Sequence, residues 1–164
     1  MVIPVGDVYG DLRERLVASA AALKVGNGFD ETTRVGPVIS RPHMERVLGH
    51  IEKGIQEGAT LILDRRRVGQ EEELPGYFVG PCIFDEVRPD MAIAREEIFG
   101  PVGAMMPMAS LDEAVERIHA LPYGNAASIF TASGAAAREF KYRVQCGNIG
   151  VNIGVPAPMA FFPF

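Results

Sequence analysis

The sequence predicts an α/β fold, a parallel or mixed sheet covered by helices, on three observations. An amphipathic stretch beginning at Ser40 ends at Gly58 and passes directly into the apolar, β-branched run Thr60–Asp64, half of an αβ unit. Between Ser110 and Ile153, segments of helical period alternate with short apolar runs. The resulting order from Thr60 onward is strand, strand, strand, helix, strand, helix, strand, which suits right-handed crossovers between neighbouring strands.

The first helix is expected over residues 11–24, DLRERLVASAAALK, because Leu12, Leu16, Ala20 and Leu23 recur at helical spacing. Asp11 in its first turn and Lys24 in its last complement the helix dipole, and Gly26 and Gly28 follow. The second helix takes Ser40 as N-cap, Met44, Val47, Leu48, Ile51 and Ile55 as buried stripe, and Gly58 as the residue just past its end. Residues 65–76 are polar and form a solvated excursion. A strand is expected over residues 77–87, YFVGPCIFDEV, although Gly80-Pro81 interrupts it. A long connection then leads into VGAMMPMA. Ser110 and Glu113 form a capping box for a helix over residues 111–120, and Ser133 caps another reaching Val144, with Ala136, Phe140 and Val144 on one side. ASIFT, residues 127–131, and NIGVNI, residues 148–153, are the last strands.

Composition bounds the function. The 164 residues are 48% hydrophobic and 23% charged, which excludes a mainly disordered or coiled-coil chain. A domain of this length buries roughly two-thirds of its unfolded surface. The formal charge of −5 argues against non-specific nucleic-acid binding. No apolar run approaches the roughly 20 residues that span a bilayer, and the opening MVIPVGD lacks the basic and apolar regions of a secretory signal. The 2 cysteines, Cys82 and Cys146, form neither a disulfide framework nor a metal motif, and a cytoplasmic location is expected. Both ends look cut: MVIPV opens with no announced partner, and PAPMAFFPF would expose aromatic area where chains fray.

Local chemistry is sparse. There is no G-x-G-x-x-G, Walker, H-E-x-x-H or G-x-S-x-G sequence. His43 and His50 lie seven apart on the second helix and His119 near the end of a later one. All three are expected to be surface or boundary histidines. Cys82 has the character of a small buried hydrophobe. Cys146 follows a helix C-terminus, where the dipole disfavours a thiolate. The unusual piece is Arg95-Glu96-Glu97-Ile98-Phe99-Gly100-Pro101-Val102. It is either a solvated turn carrying a core phenylalanine or a ligand edge. In the second case a carboxylate accepts ligand hydroxyls and Phe99 packs on a flat ring. An extended backbone would put Glu97 and Phe99 on one face.

EEIFGPV, residues 96–102, resembles the signature segment of the NAD(P)-dependent aldehyde dehydrogenase superfamily. Further matches follow in order: VGPVIS at 35–40, GYFVGPCIF at 76–84, SLDEAVERIHALPYGNAASIFT at 110–131 and CGNIGVN at 146–152. VPAPMAFFPF, residues 155–164, is most similar to the coenzyme A-acylating methylmalonate-semialdehyde dehydrogenase branch.

The resemblance implies a three-layer catalytic domain with a mostly parallel sheet covered by helices, residues 1–164 being a single truncated piece of it. An upstream NAD-binding domain and a C-terminal association segment would lie outside the chain. In the family a cysteine thiolate attacks the aldehyde, hydride passes to the nicotinamide, and the thioester is released to water or coenzyme A. Glu97 is similar to the residue holding the nicotinamide ribose hydroxyls, and Phe99 to the one packing beside the nicotinamide. Phe164 falls where an aromatic lines the aldehyde pocket, although the paired glycines that normally follow are absent. The nucleophilic cysteine and general-base glutamate are expected upstream, since neither Cys82 nor Cys146 occupies the nucleophile's place. The parent is expected to be a homo-oligomer, dimer or tetramer, acting on a small aldehyde with NAD and coenzyme A, without nucleic acid, membrane or metal. No cofactor is expected to bind the 164 residues tightly. A hydrolytic relative releasing acid and a non-catalytic interaction domain on the same scaffold are the alternatives. With both catalytic groups absent, the 164 residues alone are expected to yield no NADH with propanal or methylmalonate semialdehyde, as an absorbance assay would show.

Overall fold

Residues 1–68 and 74–154 are described by the computed structural model, and their contacts fall into two compact units, Met1–Pro107 and Met108–Phe164. In the first unit a single 3-10 turn, Gly6–Val8, leads into α1, Tyr9–Ala21. Then come α2, Arg41–Gln56; β1, Thr60–Asp64; β2, Cys82–Asp85; α3, Ala92–Arg95; and β3, Val102–Ala104. The sheet has the order β1-β2-β3, with β1 antiparallel and β3 parallel to β2. The β1–β2 register slips between Leu61 and Leu63, an irregularity that bends the edge strand.

The helix expected over 11–24 begins earlier and stops at Ala21. Its end is set by competition for the backbone. The carbonyl of Lys24 accepts from the N–H groups of Arg34 and Val35, at 2.9 and 3.0 Å, so residues 24–26 pair with the loop instead of extending the helix. Leu12, Leu16, Ala20 and Leu23 are half-buried. The opening residues do have a partner. Val2 donates to Ala104 O at 2.8 Å and accepts from Met106 N–H at 3.0 Å, joining the end of β3 as a parallel bridge.

α2 follows its sequence signals closely. The Ser40 side chain accepts from the His43 N–H at 3.3 Å. At the other end Gly58 adopts φ +90°, its N–H bonds to Ile55 O, and the Ala59 N–H bonds to Gly54 O, each at 3.0 Å. This is a Schellman ending, whose left-handed residue favours glycine. The stripe needs one correction: Val47 and Ile51 are fully buried, but Ile55 is 39% exposed and Gly54 is buried instead. A Cβ at Gly54 would lie 3.2 Å from the Phe84 ring and 3.4 Å from Ile93 Cδ1. Glycine therefore lets the helix backbone lie directly on β2.

The strand expected over 77–87 is confined to Cys82–Asp85, because Gly80-Pro81 interrupts the ladder and proline has no N–H to give it. All four strand residues are buried. Its last residue, Asp85, is 1% exposed and fully bonded. Tyr9 Oη and Arg13 Nε each donate to Asp85 Oδ2 at 2.7 Å, and the Glu86 N–H donates to Oδ1 at 2.8 Å. The cluster fastens α1 to the end of β2.

In the second unit α4, Leu111–His119, is followed by β4, Ala126–Ile129; α5, Gly134–Arg143; and β5, Asn148–Val151. The Ser110 and Ser133 caps form as expected, accepting from Glu113 N–H and Ala136 N–H at 3.2 Å. The Glu113 carboxylate reaches back to the Ala109 N–H at 2.9 Å, one residue before the usual capping-box target. β4 and β5 pair in parallel across the α5 crossover. Val115, Phe140 and Val144 form the core under them, with Leu111, Ile118 and Ile149 packed alongside. Asn152 extends the ladder with its side chain: Oδ1 accepts from Thr131 N–H and Nδ2 donates to Thr131 O, at 2.9 and 3.1 Å. The α/β class stands: among the described residues β2–β3 and β4–β5 pair in parallel and β1–β2 antiparallel. Among the described residues no helix is long and apolar enough to cross a membrane.

Burial works to raise the Asp85 carboxyl pKa, but the hydrogen bonds from Tyr9, Arg13 and the Glu86 N–H outweigh it and hold the group below its ordinary value. A depressed folded value means that the stabilisation is complete above the unfolded pKa of about 3.9 and is lost as pH falls through the folded one. Asp85→Asn is expected to cost about 2–3 kcal/mol at neutral pH. It should also flatten the loss of stability below about pH 4, both read from urea unfolding across pH.

Candidate functional site

The segment singled out in the sequence, residues 95–102, spans the end of α3, an irregular turn and the start of β3. α3 lies inside the long connection, where no helix is expected from the sequence. Its first N–H, at Ala92, is capped by the Glu57 carboxylate at 2.7 Å, and Arg88 donates to Glu57 O at 3.0 Å. The C-terminus of α2 thus fixes where the segment begins. Its far end is fixed by the sheet, where Cys82 N–H bonds to Pro101 O at 2.9 Å and Val102 enters the ladder opposite Cys82.

Between those anchors the side chains alternate. Glu97 is exposed, Ile98 is 8% exposed and packs inward, and Phe99 is 68% exposed. Phe99 is therefore not a core residue. Nor is the backbone extended through it, since Phe99 adopts φ +54°. A left-handed residue other than glycine costs about 1–2 kcal/mol. Glu97 has no hydrogen-bond or ion-pair partner among the described residues, so both carboxylate oxygens are available. Glu96 is engaged, its carboxylate 3.5 Å from Lys53 Nζ and 4.0 Å from His50 Nε2. As an exposed contact it contributes little to stability.

The turn lies directly on α2. His43 Nε2 is 2.7 Å from Phe99 O, and Arg46 Nη2 donates to Ile98 O at 3.0 Å and faces His43 Nδ1 at 3.4 Å. A Cβ at Gly100 would sit 2.8 and 2.9 Å from the two Val47 methyls, so only glycine permits this approach. His43, Arg46, His50 and Lys53 all meet residues 96–99 from one side of α2. Both histidines are half-buried, at the boundary expected from the sequence, and their contact with the segment is not expected from it. The signal was present: four basic side chains spaced three, four and three apart form one helical stripe.

The remaining candidates behave as follows. Cys82 is 1% exposed and burial pushes its thiol up to about 11, so it is a poor nucleophile. Its neighbour Asp64 is held below its usual value chiefly by hydrogen bonds from Arg66, with burial opposing. Cys146 Sγ lies 3.1 Å from Asn148 O. His119 Nε2 accepts the Gln145 N–H at 3.2 Å, a structural contact. Phe164 lies outside the described residues. Among the described residues no group of three or more His, Cys, Asp or Glu side chains could hold a metal. The fixed turn offers a free carboxylate and a bare aromatic face, which fits a ligand carrying hydroxyls beside a flat ring.

The Aldehyde dehydrogenase family model matches residues 2–164. Malonate-semialdehyde dehydrogenase 1 of Geobacillus thermodenitrificans is 46% identical over 164 residues, which are 100% of this chain and 34% of that protein. The crystal structure of methylmalonate-semialdehyde dehydrogenase from Oceanimonas doudoroffii superposes with a TM-score of 0.91 at 40% identity, over 98% of this chain and 34% of that one. A Mycobacterium tuberculosis aldehyde dehydrogenase complexed with NAD+ gives a TM-score of 0.85 at 32% identity, over 93% of this chain and 31% of the other. The chain spans about a third of the length of these relatives.

Because any side chain at residue 100 meets Val47, Gly100→Ala is expected to displace the turn and cost about 1–3 kcal/mol in thermal or urea unfolding.

Proposed function

The chain belongs to the aldehyde dehydrogenase family, and from that premise we propose that it supplies part of the catalytic domain of an NAD-dependent semialdehyde dehydrogenase. The observation that carries the reading is the exposed Glu97 carboxylate, without a partner among the described residues, two positions before the exposed Phe99 ring on a turn fixed from both ends. Glu97 accepts the hydroxyls of the nicotinamide ribose, and Phe99 packs beside the nicotinamide and orients its ring. Phe164 lines the aldehyde pocket. NAD supplies the hydride acceptor for oxidation of the aldehyde carbon. The nucleophilic cysteine and the general base come from residues outside these 164, because buried Cys82 suits neither role and Cys146 follows a helix end.

The substrate is a short semialdehyde such as methylmalonate semialdehyde. That choice is supported by the likeness to malonate- and methylmalonate-semialdehyde dehydrogenases. The product leaves as an acyl-coenzyme A, as the resemblance of residues 155–164 to the acylating branch implies. The enzyme works in the cytoplasm as a homo-oligomer, dimer or tetramer, with these residues belonging to one catalytic domain.

In the full-length enzyme carrying these residues, Glu97→Gln is expected to raise the KM for NAD on the order of tenfold, with unfolding midpoints within about 0.5 kcal/mol of the parent. Unchanged NAD kinetics would remove Glu97 from the cofactor site. Product analysis with and without coenzyme A separates the two modes of release: acid formed at full rate without it would establish hydrolysis.

A further inference from the structure

Two side chains of α2 have no task in the reading above, yet they hold the backbone on which it depends. We propose that His43 and Arg46 are positioning residues for cofactor binding, fixing the left-handed Phe99 turn so that Glu97 and Phe99 stand ready before the dinucleotide arrives. The inference rests on the function proposed for Glu97 and Phe99 and adds how their geometry is set.

Arg46 has only donors, so where its Nη2 faces His43 Nδ1 at 3.4 Å the ring nitrogen is the acceptor. The ring proton is then on Nε2, which donates to Phe99 O at 2.7 Å. The same Arg46 nitrogen donates to Ile98 O at 3.0 Å. Two consecutive carbonyls, in the peptides before and after the Phe99 Cα, are thus held by two donors one helical turn apart. Phe99 sits at φ +54° without the freedom of glycine, so left alone its backbone would relax toward negative φ. Relaxation would swing the ring and the Glu97 carboxylate relative to each other. The Gly100 backbone against Val47 closes off sideways movement but supplies no hydrogen bond to the two carbonyls. His43 itself is fixed at the first turn of α2, where its N–H is taken by the Ser40 cap. Preorganisation of this kind improves ligand affinity by lowering the ordering cost of binding.

The test uses the full-length enzyme with His43→Leu, His43→Gln, Arg46→Lys and Glu97→Gln, scored by separate KM values for NAD and aldehyde and by thermal unfolding. The expected result is a rise of about tenfold in the KM for NAD for His43→Leu, with the aldehyde KM within about twofold of the parent. His43→Gln, which keeps a donor at similar reach, should recover most of the loss. A purely structural role would move the unfolding temperature and both KM values together, and that outcome overturns the inference. So does a His43→Gln variant as impaired as His43→Leu. If His43→Leu fails to fold, Arg46→Lys keeps the charge but loses the guanidinium fork; an unchanged KM for NAD in that variant overturns it equally. A Glu97→Gln effect without any His43 or Arg46 effect defeats the positioning role and leaves the proposed function standing. Absence of a Glu97→Gln effect defeats the function itself, and the inference with it.

Discussion

The close approach of α2 to its neighbours is the constraint on which the rest of the first unit depends. Two glycines permit it. Gly54 brings the helix backbone onto the Phe84 ring of β2, and Gly100 brings the signature turn onto Val47 of the helix. Only at that separation can side chains as short as His43 reach a carbonyl of the turn. The Glu57 carboxylate, just past the end of the same helix, caps α3 and so sets where the turn starts. One helix therefore packs on the sheet, anchors the segment before the turn and grips the turn itself.

Energetically the turn is a local exception within a regular fold. An exposed phenylalanine in left-handed conformation forgoes both burial and backbone comfort, at a cost of about 1–2 kcal/mol for the backbone alone. Such residues persist where surrounding contacts overdetermine them. Here the contacts are named: Ile98 buried on one side, donors from His43 and Arg46, and the sheet bond from Cys82 N–H to Pro101 O. The buried carboxylate of Asp85 plays a separate part, tying α1 to the end of β2 through Tyr9 and Arg13. It is fully hydrogen-bonded, which is the condition under which a charge is tolerated inside a protein.

Much of this was legible in the residues. The caps at Ser40, Ser110 and Ser133, the left-handed ending at Gly58 and the two parallel-strand segments of the second unit follow from local rules, since their partners lie within a few residues. Where the reading failed, a partner distant in sequence decided. α1 stops at Ala21 because Lys24 O bonds to residues 34 and 35, and Val2 finds its place only against β3, a hundred residues on. Ile55 satisfied the helical stripe, yet the position facing Phe84 is Gly54, because close packing over a large ring selects the smallest residue. The spacing of His43 and His50 lets them share a helix face, and that face acquires meaning only once the segment 96–99 lies across it.

By itself the sequence determined the α/β class and the family, and it singled out Glu97 and Phe99 as candidates, because periodicity, capping and an ordered set of motifs are properties of the chain taken linearly. Tertiary structure alone decided that Phe99 faces outward at φ +54°, that Glu97 has no partner among the described residues while Glu96 meets Lys53, and that α2 holds the turn. The reason is physical: exposure, charge pairing and backbone strain depend on which surfaces meet, and the surfaces meeting at this turn come from positions some fifty residues apart.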